Sequence, residues 1–533
     1  MRIKNQIIYT NLGEYKLKGG NEMKKEKVKL VTTLVIALTL ILTINVGSTI
    51  AKENKDTLVV ADMYAPKTVD PHAAGDSASV NVLNEITETL VEYNSEGEIV
   101  PLLAKKWERL DDLTYKFYLR KGVYFHNGEE MTAEDVVFSF KRALSPAGAR
   151  VQYIMKAVDP EGFEIIDDYT VIIRTKESFS PFISYLPYIG ASIINKEYYE
   201  SEDQKVSMHP VGTGPYKFVE WKHGDKVELE RFEDYWGKKP YFENMVIKAM
   251  TEANSRAIAL ETGGVDIAYN ITSNHVDRIR ENPDVELKRR LSTVFTYLGF
   301  NCGKPPLDNM KLRKAIDYAI DEKSIVASVF RGVGVYTPGP VTPEQNYFLE
   351  GECKYNPEKA KELLKEIEMD SGLKLSLLVN DRDERIDIAQ IVQAQLREVG
   401  IEVEINVMEW GAFLDATTSG KQEMFISGWG AVGFPDPDNN LYGPIHSSMI
   451  PANNFCFYSD PELDKYLEQS RTLPNGPERE KAVKEAQRLI RERVPYVTFD
   501  NSEQIVGVQK NIKGFEPSAA SSHKCHDAYY ETE

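Results

Sequence analysis

Two short polar stretches carry residue types that acid–base or metal chemistry would need. Asp436 and Asp438 flank a proline, and such a pair of carboxylates could act as general acid and base or begin a calcium loop. Asp-Pro-Asp-Asn is also an ordinary turn sequence, and no acidic spacing elsewhere supports calcium. Residues 523–526, His-Lys-Cys-His, could bind a metal, but this close to the C-terminus we expect a surface loop. The sequence therefore predicts neither a metal site nor a catalytic carboxylate pair.

Catalytic sequence signatures are scarce in the rest of the 533 residues. The chain has no Gly-x-Ser-x-Gly, His-Glu-x-x-His or Gly-x-x-x-x-Gly-Lys motif. A secreted hydrolase is an alternative, but no nucleophile motif supports it. We therefore expect a binding protein without a cofactor rather than an enzyme.

Two tryptophans lie where predicted strands end. Strands at residues 373–379, 402–408 and 424–427 alternate with helices; Trp410 follows the second strand and Trp429 follows the third. In open α/β sheets, ligands bind beyond the carboxyl ends of the strands, so these aromatics could form a wall of a binding site. The alternative is that both tryptophans pack under loops. The predicted wall consists of Trp410, Trp429, Gly430, Ala431 and Val432.

The composition is that of an exported, acidic, globular protein. The chain is 42% hydrophobic and 27% charged, and its net charge of −18 disfavours nucleic acid or an anionic membrane as a partner. Lysines within residues 24–29 precede an apolar run at 30–44 and small residues at 49–51. This pattern predicts an extension plus signal peptide over residues 1–51, with the signal at about 23–51 and Met23 as the alternative start to Met1. The apolar run is short for a membrane anchor, which is the alternative.

Cysteine usage bears on retention and on redox state. No cysteine lies near the predicted cleavage region, so we expect no lipid anchor and a periplasmic or cell-surface location. Cys302, Cys353, Cys456 and Cys525 are widely spaced, and no Cys-x-x-Cys suggests structural zinc. In an oxidising compartment they could form up to two bridges in three possible pairings, or remain free or singly paired.

Strands and helices alternate along the whole chain, which predicts an α/β protein with more than one sheet. The length allows two or three domains. Thr132 and Asn356 are each expected to cap the start of a helix. Two lobes joined by chain crossings near residues 299–301 and 495–505 fit the pattern best.

Several motifs, in the same order along the chain, resemble those of one family. They are Leu103, Ala104 and Trp107 together with residues 125–128, 132–140, 212–216, 264–267 and 307–321. From about residue 57 to the C-terminus, the sequence resembles the solute-binding proteins of peptide and nickel ABC transporters. These are extracellular family 5 proteins of the dipeptide-, oligopeptide- or glutathione-binding type.

The resemblance implies a periplasmic-binding-protein-like α/β fold with two lobes, a hinge and an extra subdomain in the first lobe. It also implies a monomer that captures a short peptide and delivers it to ABC permease subunits powered by cytoplasmic ATPases. We expect lobe I at residues 55–95, 212–299 and 498–533, its extra subdomain at 96–211, and lobe II at 300–497.

The resemblance also bears on how a ligand would be held. In the family's peptide binders, an aspartate shortly after the Gly-Trp-x-Ala segment pairs with the peptide's amino terminus, but this chain has Val432 there. Either Asp436 is the amine anchor from a shifted position, or the ligand lacks a buried α-amine. With Val432 at this position, the loop resembles that of the subgroup described as glutathione or dipeptide binders. The expected lining across the cleft consists of Met63, Tyr64, Tyr269 and Asn270.

A nickel chelate or an oligosaccharide is the alternative ligand for the same transporter class. A nickel chelate would need a histidine or an arginine in the cleft, and His446 and Arg385 are the nearby candidates in lobe II. Either ligand would use the same fold.

Overall fold

The computed structural model describes residues 56–94, 96–148, 155–201, 208–430, 436–519 and 522–531. The predicted extension and signal peptide, with Met1 and Met23, lie outside the described residues, as do Ala431 and Val432. Within the described ranges, no helix combines the length and apolar character that crossing a bilayer requires.

The strands belong to one large sheet and three small ones. They are β1 (Thr57–Asp62), β2 (Val91–Tyr93), β3 (Ile99–Pro101), β4 (Ala104–Arg109), β5 (Thr114–Leu119), β6 (Val158–Asp167), β7 (Thr170–Thr175), β8 (Tyr216–Lys222), β9 (Lys226–Arg231), β10 (Asn244–Ala249), β11 (Ile267–Ala268), β12 (Val285–Phe300), β13 (Val335–Tyr336), β14 (Leu373–Asn380), β15 (Ile401–Met408), β16 (Met424–Trp429), β17 (Tyr496–Gln509), β18 (Ile512–Lys513) and β19 (Tyr529–Tyr530). The large sheet has 11 strands in the order β15-β14-β16-β12-β17-β11-β1-β10-β9-β8, with β13 also paired to β17. A four-stranded sheet, β4-β5-β7-β6, and the pairs β2-β3 and β18-β19 stand apart from it.

The described helices differ in whether a side chain caps their first turn. They are α1 (Ser77–Ile86), α2 (Ala133–Leu144), α3 (Phe182–Tyr185), α4 (Lys196–Ser201), α5 (Ala253–Glu261), α6 (Ser273–Arg280), α7 (Met310–Ala319), α8 (Glu322–Val329), α9 (Pro357–Glu366), α10 (Asp383–Glu398), α11 (Trp410–Thr418), α12 (Asp438–Tyr442), α13 (Pro461–Thr472) and α14 (Pro477–Arg493). Thr132 and Asp135 form a capping box at the start of α2, and Asn356 accepts the backbone N–H of Lys359 at the start of α9. Both predicted caps are confirmed.

Two long strands join the halves of the large sheet. β12 has 16 residues and β17 has 14, and they pair antiparallel over most of their length. Their register breaks between Leu291 and Phe295. The residues of β12 before the break belong to the half of the sheet that contains β11 and β1, which we call the first half. The residues of β12 after the break belong to the second half, which contains β16 and β14. The predicted crossings, near 299–301 and 495–505, fall within or at the end of these two strands.

The apolar core follows the same division. One cluster joins Leu58 of β1 and Phe117 of β5 to Ile512 and Phe515, which follow β17. In the other half, alternate residues of β14 and β16 enter two different clusters, one on each face of the sheet. The end of the chain therefore packs on the first half.

The stretch at residues 523–526 is not the surface loop that we expected. His523 and Cys525 are each 2% exposed. The backbone N–H of His523 donates to Oδ1 of Asn81 at 2.8 Å, and that of Cys525 donates to Oε1 of Glu85. The surface prediction was wrong because α1, from the opposite end of the chain, supplies buried acceptors for this segment.

His523 should make the protein less stable in acid. Its Nδ1 accepts the backbone N–H of Ser518 at 3.1 Å, which only an unprotonated nitrogen can do, and burial lowers its pKa from 6.5 to about 4. As the pH falls, the imidazole takes up a proton in the unfolded chain before it does so in the folded protein. The stability that the neutral, buried imidazole contributes is therefore complete above pH 6.5 and is lost as the pH falls through about 4. The loss amounts to about 3 kcal/mol. In urea unfolding, the free energy of unfolding of His523→Asn should fall less between neutral and acidic pH than that of the wild type.

The exposed His209 offers the matched control for this measurement. His209→Gln should keep the wild-type dependence of unfolding free energy on pH. If His523→Asn and the wild type lose stability in parallel between neutral pH and about pH 4, the buried imidazole does not contribute as described.

The four cysteines are free thiols. Cys302 and Cys456 are neighbours, because the backbone N–H of Cys302 donates to the carbonyl of Cys456 at 2.8 Å. Of the possibilities left open by the sequence, the structure has four thiols and no bridge.

Candidate ligand-binding site

The carboxyl ends of three strands meet at one edge of the second half of the sheet. β14 pairs in parallel with both β15 and β16, so the residues that follow these strands lie side by side. Trp410 begins α11 after β15, Trp429 ends β16, and Arg385 lies in the first turn of α10 after β14. β16 ends opposite Phe295, at the register break of β12. This edge therefore faces the division between the two halves.

The first half of the sheet presents its strand ends to the same division. β1 and β11 are parallel neighbours, so the segments after them, residues 63–64 and 269–270, emerge together. The backbone N–H of Ile271 then donates to the carbonyl of Ile505 in β17 at 3.0 Å, close to the register break. Strand ends from both halves thus converge where open α/β sheets bind ligands.

A cavity of about 950 Å³ lies between the two halves. The first half contributes the β2–β3 hairpin, Ser184, residues 187–189 and residues within 514–519 and 522–527, whereas the second half contributes Thr293, Tyr347 and Arg479 among others. Its volume is typical of sites for small molecules. Among the predicted site residues that the structure describes, Asp436 is the one that lines it.

Asp436 already has a cationic partner inside the protein. Its Oδ2 lies 2.9 Å from Nη1 of Arg479, and its Oδ1 accepts Nη2 of Arg479 at 2.9 Å and the backbone N–H of Asp438 at 3.0 Å. Asp436 is 3% exposed and Arg479 is 1% exposed. A ligand ammonium group would have to share this carboxylate with Arg479, and the role of Asp436 as an amine anchor stays a prediction.

Arg385 is a half-buried cation without a carboxylate partner in the described part of the chain. Its Nη1 donates to Oδ1 of Asn380 at 2.7 Å, and its guanidinium carbon lies 5.8 Å from the centroid of the Trp410 ring. Burial lowers the pKa of Arg385 to about 10. A Cβ at Gly428 would lie 3.0 Å from Nη2, so the glycine leaves space beside the guanidinium. The site can therefore accept an anionic group from outside.

Sequence reasoning connected Arg385 only with a nickel chelate. The signal that could have placed it among the site residues is its position just after β14, which matches the position of Trp410 just after β15. Because those two strands are parallel neighbours, residues that follow them share one edge.

The two tryptophans have different environments. Trp410 is 42% exposed and stacks on Phe413, with ring centroids 5.5 Å apart. Nε1 of Trp429 donates to the carbonyl of Asn439 at 2.9 Å, and the Trp429 ring packs against Gly443. Trp410 thus offers an open aromatic surface, whereas Trp429 is turned inward and supports the chain that follows.

Gly430 brings the loop close to a crossing strand. A Cβ at Gly430 would lie 2.6 Å from Cα of Val294, so a larger residue would force the backbone to move. Residues 428–433 also have the spacing Gly-x-Gly-x-x-Gly, which in dinucleotide-binding proteins opens a helix directly after a strand. The next described helix begins at Asp438.

Across the cleft, the predicted residues differ in accessibility. Tyr64 is exposed and Met63 is half-buried. Tyr269 is 2% exposed, and its hydroxyl lies 2.8 Å from Sγ of Cys525, so its ring supports the wall from beneath. Asn270 is half-buried and has a φ of 54°, the left-handed conformation of a sharp turn after β11.

In the described ranges, no three histidine, cysteine or carboxylate side chains are grouped so that they could hold a metal ion. His446, the histidine that a nickel chelate could use, is 4% exposed. Its Nδ1 lies 2.7 Å from Oγ of Ser448, and its ring stacks on Tyr442 at 4.1 Å. His446 is therefore held by its neighbours.

The converging strand ends and the cavity can be compared with those of known proteins. Residues 98–450 match the middle region of the bacterial extracellular solute-binding proteins, family 5. The chain belongs to this family. Relatives of this family 5 protein are solute-binding proteins of ABC transporters and not enzymes.

Individual relatives cover nearly the whole family 5 chain. Heme-binding protein A of Haemophilus influenzae is 29% identical over 516 residues, which cover 90% of this chain and 92% of the relative. Glutathione-binding protein GsiB of Escherichia coli O1:K1 / APEC is 30% identical over 460 residues, which cover 84% and 89%. The solved structure of periplasmic binding protein DppA from Helicobacter pylori, in complex with the peptide STSA, has a TM-score of 0.77 and 29% identity and covers 89% of this chain and 98% of DppA. The predicted two-lobed α/β fold is confirmed.

Proposed function

We propose that this protein captures short peptides, from dipeptides to pentapeptides or glutathione, between its two lobes and delivers them to the permease of an ABC importer. It acts outside the cytoplasm as a monomer. The observation that carries the proposal is the half-buried Arg385 at the strand ends, which makes no ion pair with a described carboxylate. The relatives that bind glutathione and the peptide STSA support the ligand class.

Arg385 would hold the C-terminal carboxylate of the peptide. A guanidinium group offers two parallel N–H donors that match the two oxygens of a carboxylate. Because Arg385 is partly removed from water and makes one side-chain hydrogen bond, to Asn380, an arriving carboxylate would compensate its charge. The open face of Trp410 would lie against the adjoining part of the peptide.

Closure of the two lobes would link the contact at Arg385 to the capture of the peptide. A ligand that touches both lobes binds the closed state better than the open state and shifts the population toward closure. The cavity of about 950 Å³ between the two halves, which neither Arg385 nor Trp410 lines, has room for water. Water can bridge many different side chains to the protein, so one protein can accept many peptide sequences.

Val432 should influence how the ligand's amine is recognised. It stands where the family's peptide binders have an aspartate, so Val432→Asp should introduce an acceptor for an α-ammonium group. We expect the variant to favour peptides with a free amino terminus over their N-acetylated forms more strongly than the wild type does. Calorimetry with trialanine and N-acetyl-trialanine measures this ratio of affinities. An unchanged ratio would mean that this loop does not set specificity.

Native mass spectrometry of the exported protein tests the proposed ligand class. Tight binding should leave a peptide mass on the purified protein, which disappears after partial unfolding and refolding. Elemental analysis of the same sample should find no stoichiometric nickel, with or without added histidine. A bound nickel chelate or oligosaccharide in place of a peptide would refute the proposal.

A further inference from the structure

One short segment of the first half reaches the end of a helix in the second half. The segment spans residues 178–185 and lies within the subdomain predicted at 96–211. Its partners are residues 471–473 at the end of α13 and residue 438 at the start of α12. We call the segment and these partners the interlobe clasp.

The clasp caps a helix from the opposite lobe. The last carbonyl groups of an α-helix have no N–H partner within the helix. Here the backbone N–H of Ser180 donates to the carbonyl of Arg471 at 2.7 Å. Oγ of Ser178 donates to the carbonyl of Thr472 at 2.7 Å, and Oγ of Ser180 donates to that of Leu473. Three consecutive carbonyls, those of the last two residues of α13 and of Leu473 directly after it, therefore receive donors from the other side of the cleft.

A buried carboxylate completes the clasp. The hydroxyl of Tyr185 donates to Oδ2 of Asp438 at 2.6 Å. Nε and Nη2 of Arg471 donate to Oδ1 and Oδ2 of the same carboxylate, at 2.7 and 3.0 Å. Asp438 is 1% exposed and Tyr185 is 5% exposed, so the bond between them is shielded from water. The guanidinium of Arg471 also lies 5.3 Å from the ring centroid of Phe179.

We infer that the interlobe clasp holds the closed state, so that Ser178, Ser180 and Tyr185 raise ligand affinity without touching the ligand. This inference rests on the proposed capture by lobe closure. When the lobes separate, the three carbonyls and Asp438 lose these donors, so the contacts exist only when the protein is closed. None of the three residues lines the cavity. They are positioning residues, because apparent affinity scales with the fraction of the protein that is competent to bind.

Two sets of substitutions test the inference, with reduced glutathione and trialanine as probes. Tyr185→Phe should weaken affinity about tenfold, and the triple variant S178A/S180A/Y185F should weaken it about 100-fold. Small-angle X-ray scattering should give the ligand-free triple variant a larger radius of gyration than the wild type. Saturating probe should restore a wild-type radius.

Matched controls separate the clasp from a general effect of losing a hydroxyl group. Tyr124 is 40% exposed, and Oγ of Ser419, the residue directly after α11, donates to the carbonyl of Asp415 in that helix. The double variant Y124F/S419A should keep wild-type affinity and radius.

Equal affinity and equal radius in the triple variant and the wild type would overturn the inference, as would weaker affinity without any change in radius. If the wild type binds neither probe, the peptide proposal fails for these ligands. The comparison of ligand-free radii then still decides the role of the clasp.

Discussion

Replacing Arg385 by glutamine is expected to weaken the binding of peptides with a free C-terminal carboxylate by about 100-fold, because removing one partner of a partly buried charge pair costs a few kcal/mol. Glutamine keeps a polar donor beside Asn380 but has neither the charge nor the fork of two N–H groups. Calorimetry on ligand-free protein measures the loss. The affinity of Arg385→Lys should lie between those of the wild type and Arg385→Gln, because lysine keeps the charge without the two parallel N–H donors.

The neighbouring Arg382 provides the matched control, because it is exposed and lies on the same turn of chain. Arg382→Gln should change affinity by less than about threefold. The same peptide with a C-terminal amide should bind the wild type poorly. Its affinity should fall little further for Arg385→Gln, because amidation and the substitution remove the same contact. Wild-type affinity of Arg385→Gln for the free acid would show that the carboxylate is held elsewhere.

Replacing Arg479 by alanine is expected to lower the free energy of unfolding by about 3–5 kcal/mol, since it leaves the buried carboxylate of Asp436 without its cation. Both side chains are nearly inaccessible to water, and two bonds of 2.9 Å join them. The urea midpoint at neutral pH measures the effect. The pair D436L/R479M should recover much of the lost stability, because it removes both charges and keeps the volume filled.

Arg488 lies on the same helix, α14, and is the matched control. Its side chain is 51% exposed and pairs with Glu485 and Glu492. Arg488→Ala should cost less than about 1 kcal/mol, because exposed ion pairs contribute little. If Arg479→Ala costs no more than Arg488→Ala, the carboxylate of Asp436 is not dependent on Arg479 and is free to serve as an amine anchor.

Local patterns explain what could be predicted from the sequence. Thr132 and Asn356 cap helices through bonds to residues two and three positions ahead, so a short window of sequence contains all the information. Trp410 follows directly after β15, so the local pattern of strands and helices was enough to place it at the edge of the sheet beside β14; its contact with a ligand stays a prediction.

Contacts between distant parts of the chain explain what the sequence did not reveal. The partner of Asp436 lies 43 positions away, and the hydroxyl that reaches Asp438 comes from Tyr185, 253 positions away. His523 is buried by α1, from the opposite end of the chain. In each case the side chain's surroundings depend on how helices and lobes pack, and neither composition nor periodicity records that packing.

The central claim is that a short peptide is the ligand of the cleft. Calorimetry with ligand-free protein, against a library of dipeptides to pentapeptides plus glutathione, tests it most directly, with thermal shift as a second readout. We predict saturable heat and a raised melting temperature with at least one library member, and a loss of both in Arg385→Gln. No heat and no thermal shift with any member would contradict the account.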